Sequence, residues 1–481
     1  MPAIVGVGQV VQRPGEVALD DARGPIDLMV DAALAAAADA GAGSLLSKVG
    51  MIGVAGGWFT FRNPGQLIAR RIGAPAARSV LTSISGTTPQ DLVGLASERI
   101  ARGEIDVALV VGGEARWSEQ RIKRAGGQPP WAVDESDEDP ELISSFPAGL
   151  SSEGKVFGGA PAAYALFEDR HRHTLDHDVD THRDRLAALW AGFSAVASSN
   201  PYAWDRQAHP AAEIREATPD NRMIAFPYTK AMVANNTVDM ATAVLLCSVD
   251  AARAAGLSND RLVFPSVITN GHETWMVAER RRLDGAPALT TAARVAFERS
   301  ATSIDDIAHI DLYACFPSIV QMSASALGIH DDRALTVTGG LGFAGAPVGN
   351  AVGHSIAAMV ERVRTGGLGL VHANGGMATK QSFGIYSDQP PDAFTRIDVQ
   401  DEVELDPRGT IPEGWAGAVV VEAATVAYDR DGPSHVLAAV LDDDGRRGWA
   451  TSRDPAHVAT VESTGIVGLP GRRAGDGELR L

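Results

Sequence analysis

A chain of 481 residues exceeds one ordinary hydrophobic core and implies two or three domains. Its 42 basic and 60 acidic side chains leave a formal net charge of -18, which repels phosphate backbones and anionic lipid and excludes nucleic acid and membrane surfaces as partners. Hydrophobic residues make up 45% and aromatic residues only 6%, with 51 glycines, a composition that suits closely packed α/β layers, and no apolar run reaches the roughly 18 residues of a membrane span.

The N-terminal "MPAIVGVGQVV" has neither a basic region nor a small-residue cleavage site. Cys247 and Cys315, the two cysteines, make no disulfide framework and no zinc spacing, so a reducing, cytoplasmic setting is expected, with no metal. In chain order, the strand "AIVGVG" leads to the helix "PIDLMVDAALAAAADAG", then to the strand "VGMIGVAGG". A Gly-rich turn, a helix and a strand follow in "SGTTPQDLVGLASERIARGEIDVALVVGGEA". The pattern then repeats: "RLVFPSVITNG", "PALTTAARVAFERSATS", "IAHIDLYACF" and "GAPVGNAVGHSIAAMVERVRTGGLGLVHANGGMA". Proline opens matched helices at Pro25 and Pro287, and Gly103 and Gly366 end matched helices. A polar insertion, 116–228, carries "DESDEDPE" and the helical "APAAYALFEDRHRH", and covers one face of the core. After "DQPPDA" (388–393) the period falls to two, predicting a small β-barrel over 394–481.

The duplication, the insertion segment "HRDRLAALWAGFSAVASSNPYAW" with Asn200, Pro201 and Tyr202, and the closing "NNTVDMATAVLLCSVDAARAAGL" resemble the thiolase superfamily over residues 1–387. The similarity is closest to its sterol-carrier-protein-type branch, with acetyl-CoA acetyltransferase-like members. The resemblance implies a duplicated, layered α/β/α/β/α fold. Its N-terminal half would be 1–115 with 229–250, its loop domain 116–228 and its C-terminal half 251–387; the OB-like β-barrel expected at 394–481 lies outside the usual family pattern. It also implies a ligand or co-substrate, coenzyme A or an acyl-CoA of lipid metabolism.

Acyl transfer from coenzyme A needs an activated thiolate, an acid/base partner and oxyanion donors. In "TSISGTTPQ" the nucleophile position falls on Ser83 by one matching and on Gly86 by the other, and neither is a thiol. Tyr313, Ala314, Cys315 and Phe316 stand at the Asn-Glu-Ala-Phe or His-Asp-Cys-Phe motif. Gly345, Ala346 and Pro347 stand at the Gly-His-Pro motif, where alanine neither accepts nor donates a proton. His372 or Ala373 approaches the second cysteine position, and Gly375 and Gly376 its oxyanion loop. The expectation is a thiolase-like acyl-CoA binder without ordinary Claisen or thiolytic chemistry. The alternative is an acyltransferase or thioester hydrolase in which Ser83, Tyr313 and His372 substitute as catalytic groups, with His354 a further imidazole. In either case Ser85, Gly86, Gly345, Ala346, Pro347, Gly375 and Gly376 form the pocket.

Other features have plainer readings. Ser83 and Ser85 are ordinary helix-capping residues, and Cys247 and Cys315 are small buried hydrophobes. "GGLGFAG" (Gly340, Gly342, Gly345) fits a dinucleotide fingerprint only in isolation. Glu168, His171, His173, His177 and His182 read as a solvated helix end. The basic run Arg121–Arg124 could meet coenzyme phosphates, with a solvated turn as its ordinary role. The C-terminal domain is expected to bind a protein partner or to shield an edge used for thiolase dimerisation.

Overall fold

The computed structural model describes residues 1–131, 133–143, 151–330 and 333–481; parts of the 116–228 insertion and of the 251–387 half lie outside these. The first half runs β1 (Pro2–Val11), α1 (Pro25–Ala40), β2 (Met51–Val54), α2 (Pro64–Ile72), β3 (Arg78–Thr82), α3 (Thr88–Ala101) and β4 (Val107–Ala115). The inserted region adds α4 (Arg116–Arg124), β5 (Glu141–Ile143), α5 (Ser151–Phe157), α6 (Ala160–Thr174), α7 (Val179–Ser199), α8 (Ala211–Arg215), β6 (Met223–Ala225) and β7 (Tyr228–Thr229). The strand β8 (Asp239–Ser248) and α9 (Val249–Ala254) close that half. The second half has β9 (Phe264–His272), α10 (Pro287–Ser300), β10 (Ile307–Asp311), α11 (Pro317–Ala326), α12 (Gly340–Phe343), α13 (Ala351–Val363), β11 (Leu368–Gly375), β12 (Lys380–Ser387) and β13 (Thr395–Asp398).

The two sheets share one pairing scheme. In the first, β1 and β4 flank β8 antiparallel and β4 runs parallel to β2; in the second, β9 and β11 flank β12 antiparallel and β11 runs parallel to β10. The duplication therefore extends from sequence pattern to topology. Leu92, Val93 and Ala96 of α3 join Val352, Ile356 and Met359 of α13 in a core that both sheets contribute to. Outside it, α1 covers the first sheet and α10 and α11 the second, which gives the layered α/β/α/β/α order. The alanine stripe of α1 sits unusually close to β1, because a Cβ at Gly6 or Gly8 would strike the carbonyl oxygens of Ala36 and Ala32.

The acidic run of the insertion is docked on the first half. Arg62 pairs with Asp139 at 2.6 Å and Arg70 with Asp137 at 2.7 Å, leading the chain into β5, which pairs parallel with the outer strand β3. No helix among the described residues is long and apolar enough to cross a membrane.

The C-terminal sheet contains β14 (Gly417–Tyr428), β15 (Pro433–Leu441), β16 (Arg447–Ser452), β17 (Pro470–Arg473) and β18 (Leu479–Arg480), with α14 (Pro455–Ser463) between β16 and β17. Its order is β16-β15-β14-β17-β18, and β6 pairs with β14. These ladders do not trace the expected closed OB-like barrel. The last two strands are short, and the ends of the path meet only at an isolated bridge between Thr451 and Glu478. Nor does the new sheet begin at 394, since β13 first extends the second-half sheet beside β9.

Candidate functional site

Two loops meet where the halves face each other. Ser85 and Gly86 lie just before α3, and Asn374, Gly375 and Gly376 end β11 and start its turn into β12. The loops pack so closely that a Cβ at Gly86 would strike the Asn374 carbonyl oxygen and come within 2.6 Å of the Tyr313 hydroxyl; one at Gly375 would strike Ser85 Oγ. Ser85, Gly86, Tyr313 and Gly375 are thus brought together. Ser83 is set back: it is partly exposed, and its N–H donates to the Ile143 carbonyl of β5 at 2.9 Å. Ser85 Oγ lies 3.1 Å from Thr87 Oγ1, and Thr88 Oγ1 donates to the Ser85 carbonyl at 2.8 Å, so these hydroxyls serve the turn into α3.

His372 is brought to this region with its ring fully buried. Its Nε2–H donates to Gln381 Oε1 at 2.9 Å, its Nδ1 accepts from the Tyr313 N–H at 3.4 Å and lies 3.1 Å from Ser323 Oγ, and its ring stacks on Phe383. Burial pulls its pKa down to about 4, with the Gln381 bond opposing. His354 is buried on α13 against Gln9 Oε1 at 2.8 Å, and burial pulls it down to about 3. Gly345 and Ala346 pack on the inserted region and on the chain that follows it: a Cβ at Gly345 would crowd Trp204 and Met240 of β8, and the Ala346 N–H donates to the Asn235 carbonyl. Pro347 precedes the Gly349 turn, whose carbonyl oxygen lies 3.2 Å from Thr88 Oγ1. Cys315 is buried, and desolvation pushes its thiol up to about 12 despite a bond from Tyr164.

The sequence pattern passed over Tyr164 at this centre and Glu114 at the end of β4. Tyr164 of α6 stacks on Phe316; its hydroxyl donates to the Gly376 carbonyl and accepts from Asn374 Nδ2 and the Ala378 N–H, each at 2.9 Å. It spans the second-half loop, and its signal was the tyrosine that shares the apolar stretch "APAAYALF" with Phe167. Glu114 ends β4 only 3% exposed, with Oε1 accepting the Trp58 N–H at 2.6 Å; a Cβ at Gly57 would strike the same oxygen. Burial pushes its carboxyl up to about 7, aided by Glu119 and Asp239 and opposed by the Trp58 bond and by Arg116, whose guanidinium lies over the Trp58 ring. A carboxylate closing an all-apolar strand was the available signal.

The histidine cluster corrects its expectation. Glu168 and His182 are buried together with Nε2 and Oε1 2.6 Å apart, and Tyr228 and Gln321 also donate to Glu168, while His173 is exposed. Among the described residues no group of three or more such side chains is arranged to hold a metal. "GGLGFAG" forms the short α12, where a Cβ at Gly339 or Gly340 would meet Ala197 and Phe193 of α7. Of the basic run, Arg121 lies over Trp117 and Lys123 pairs with Glu119. A cleft of about 740 Å3 opens beside α3, with Thr87, Asp91 and Lys380 in its wall.

Residues 398–478 match the family model described as Thiolase-like protein type 1 additional C-terminal domain. No curated protein matches the chain. Among solved structures, an Ltp2-ChsH2(DUF35) aldolase is 17% identical (TM-score 0.60), covering 81% of this chain and 98% of that one. The acetyl-CoA acetyltransferase from Syntrophomonas wolfei is 15% identical (TM-score 0.56), covering 81% and 99%; both are likenesses of fold. A monomeric SCP2-thiolase like protein type 1 from Mycobacterium smegmatis is 31% identical with a TM-score of 0.84, covering 100% of this chain and 98% of that chain. With the layered halves, the inserted region and the added C-terminal sheet all shared over its full length, the chain belongs to the SCP2-thiolase-like proteins of type 1, in the thiolase superfamily.

Proposed function

We propose that the protein binds coenzyme A or an acyl-CoA of lipid metabolism at the meeting of its two glycine-rich loops, in the cytoplasm, without Claisen or thiolytic turnover. The observation that carries this reading is the set of side chains at that meeting. Ser85, Gly86, Tyr313, Asn374 and Gly375 converge there, the neighbouring thiol, Cys315 beside Tyr164, is buried and pushed up to about 12, and the imidazole position of the family motif is Ala346. A thioester carbonyl can be received by hydroxyl and backbone donors, whereas carbon–carbon bond formation needs a thiolate and a proton acceptor close to it. Of the two imidazoles that could have substituted, His354 is buried against Gln9, and His372, though beside Tyr313, is fully buried between Gln381 and Ser323 with its pKa pulled down to about 4. That weighs against the acyltransferase or hydrolase alternative.

Calorimetric titration with coenzyme A, acetyl-CoA and a long-chain acyl-CoA tests the reading, with thioester cleavage and acetoacetyl-CoA thiolysis assayed in the same mixtures. Saturable binding without turnover is expected. Turnover would transfer the assignment to a substitute nucleophile, and absence of binding to all three would end it.

A further inference from the structure

At the loop meeting the side chains of Ser85, Thr87, Asn374 and Tyr164 are all hydrogen-bonded. Ser85 Oγ lies 3.1 Å from Thr87 Oγ1, which donates to Asp91 at 3.0 Å; Asn374 Oδ1 accepts from Gln381 Nε2 at 3.1 Å, and the Tyr164 hydroxyl both donates and accepts. The Tyr313 hydroxyl differs. It has no hydrogen-bond partner among the described residues, and it is not sealed from solvent. It stands 2.6 Å from the place a Gly86 Cβ would take, so its oxygen borders the gap that this glycine leaves between the loops. The Gly86 N–H, 3.5 Å from where a Gly375 Cβ would stand, also meets no acceptor among the described residues. Burial raises the pKa of Tyr313, which keeps its hydroxyl a donor. The residue is held from behind: its own N–H donates to His372 Nδ1 at 3.4 Å, and His372 is tied through Gln381 and Asn374 to the Tyr164 hydroxyl. Thr87, Thr88 and Gln381 also line the cleft of about 740 Å3, so the gap adjoins space enough for an acyl group.

We propose that the Tyr313 hydroxyl and the Gly86 N–H form a seat for one carbonyl oxygen, and that through this seat the protein selects the acylated coenzyme over the free thiol. The inference rests on the binding reading given above and names its ligand class, an acyl thioester. A carbonyl oxygen has two lone pairs and takes both donors, whereas a thiol or thioether sulfur accepts only weakly. Free coenzyme A that displaced water from the gap would leave both donors unpaired, and a site built to pair a ligand oxygen rejects the analogue that lacks it for that reason. No bond to the ligand forms or breaks. Tyr313 keeps its proton, Ala346 offers none, and the seat registers acylation without consuming the thioester.

The test is calorimetric titration of the full chain with acetyl-CoA and with S-ethyl-CoA, in which a methylene group replaces the thioester carbonyl. Acetyl-CoA is expected to bind roughly 10-fold more tightly than the thioether, and Tyr313→Phe to cut that ratio several-fold. A second readout is the infrared band of the carbonyl in bound, carbonyl-labelled acetyl-CoA. It should lie at lower frequency in the wild type than in Tyr313→Phe, a difference that loosening elsewhere in the fold would not produce. Equal affinity of the wild type for the two ligands would overturn the seat; a ratio and a band that Tyr313→Phe leaves unmoved would overturn the role of Tyr313. Binding of neither ligand would end the coenzyme reading itself, and the seat with it.

Discussion

At the scale of single residues, Glu114 makes the sharpest prediction. Its folded-state pKa of about 7 lies above the ordinary carboxylate value of 4.5, so between those limits the folded protein holds a proton that the unfolded chain has released. Stability from this group is undiminished below the unfolded value, declines as pH rises through the window, and is lowered by the full penalty above about 7. The size is on the order of 3 kcal/mol, from roughly 1.4 kcal/mol per pH unit. Glu114→Gln keeps an acceptor for the Trp58 N–H and removes the titration. We expect it to raise the denaturation midpoint at pH 8 and leave it little changed at pH 4.5, as read by chemical denaturation at both pH values; an equal shift at the two would show that Glu114 does not titrate in this way. The fold brings together Ser85, Gly86, Tyr313 and Gly375, which the residue motifs had named, and the turn glycines and the hydroxyl before α3 among them are local features that a single sequence displays. Tyr164 and the sealed states of His354 and His372 were not legible, since their partners Gly376, Gln9 and Gln381 come from other elements.

At the scale of elements, the edge of the first sheet is the instructive case. The strand β3 would present an open ladder, but β5 pairs with it and is itself only three residues long, with Glu141 held by Arg99 at 2.7 Å. The cover of this edge is therefore supplied by the inserted region. Replacing residues 137–143 by a Gly-Ser stretch should expose β3 and produce concentration-dependent self-association by light scattering; an unchanged mass would mean that β5 is not what blocks pairing. The duplicated strands and helices were legible because periods of 2 and 3.6 survive in any single sequence. The docking of the acidic run was not, because Arg62 and Arg70 lie far upstream of Asp137 and Asp139, and a charge run read alone resembles solvated chain.

At the scale of the whole molecule, the C-terminal sheet is bolted to the body through Arg447. This fully buried side chain grips Glu422 with Nε at 2.6 Å and Nη2 at 2.7 Å, and it donates to the carbonyls of Val277, Ala278 and Arg280 in the second half. Removing Arg447 leaves the buried Glu422 with only Arg408, 3.8 Å away, opposite it, so Arg447→Ala should cost about 3 kcal/mol, the lower end for a broken buried pair. Because the bolt crosses between units, fluorescence from the body and from Trp449 should shift to lower denaturant together; a shift confined to Trp449 would show that the added sheet unfolds by itself. The same bolting sets a timetable for synthesis. Glu153 on α5 accepts from the N–H groups of Val277 and Ala278, but its third donor, Trp449 Nε1, lies 296 positions downstream, and Asp169 awaits the Ala424 N–H. At translation rates of roughly 5–20 residues per second, the inserted helices emerge about 15–60 s before the strands that cover them, and for that interval the nascent chain must keep an unfinished apolar face from its neighbours.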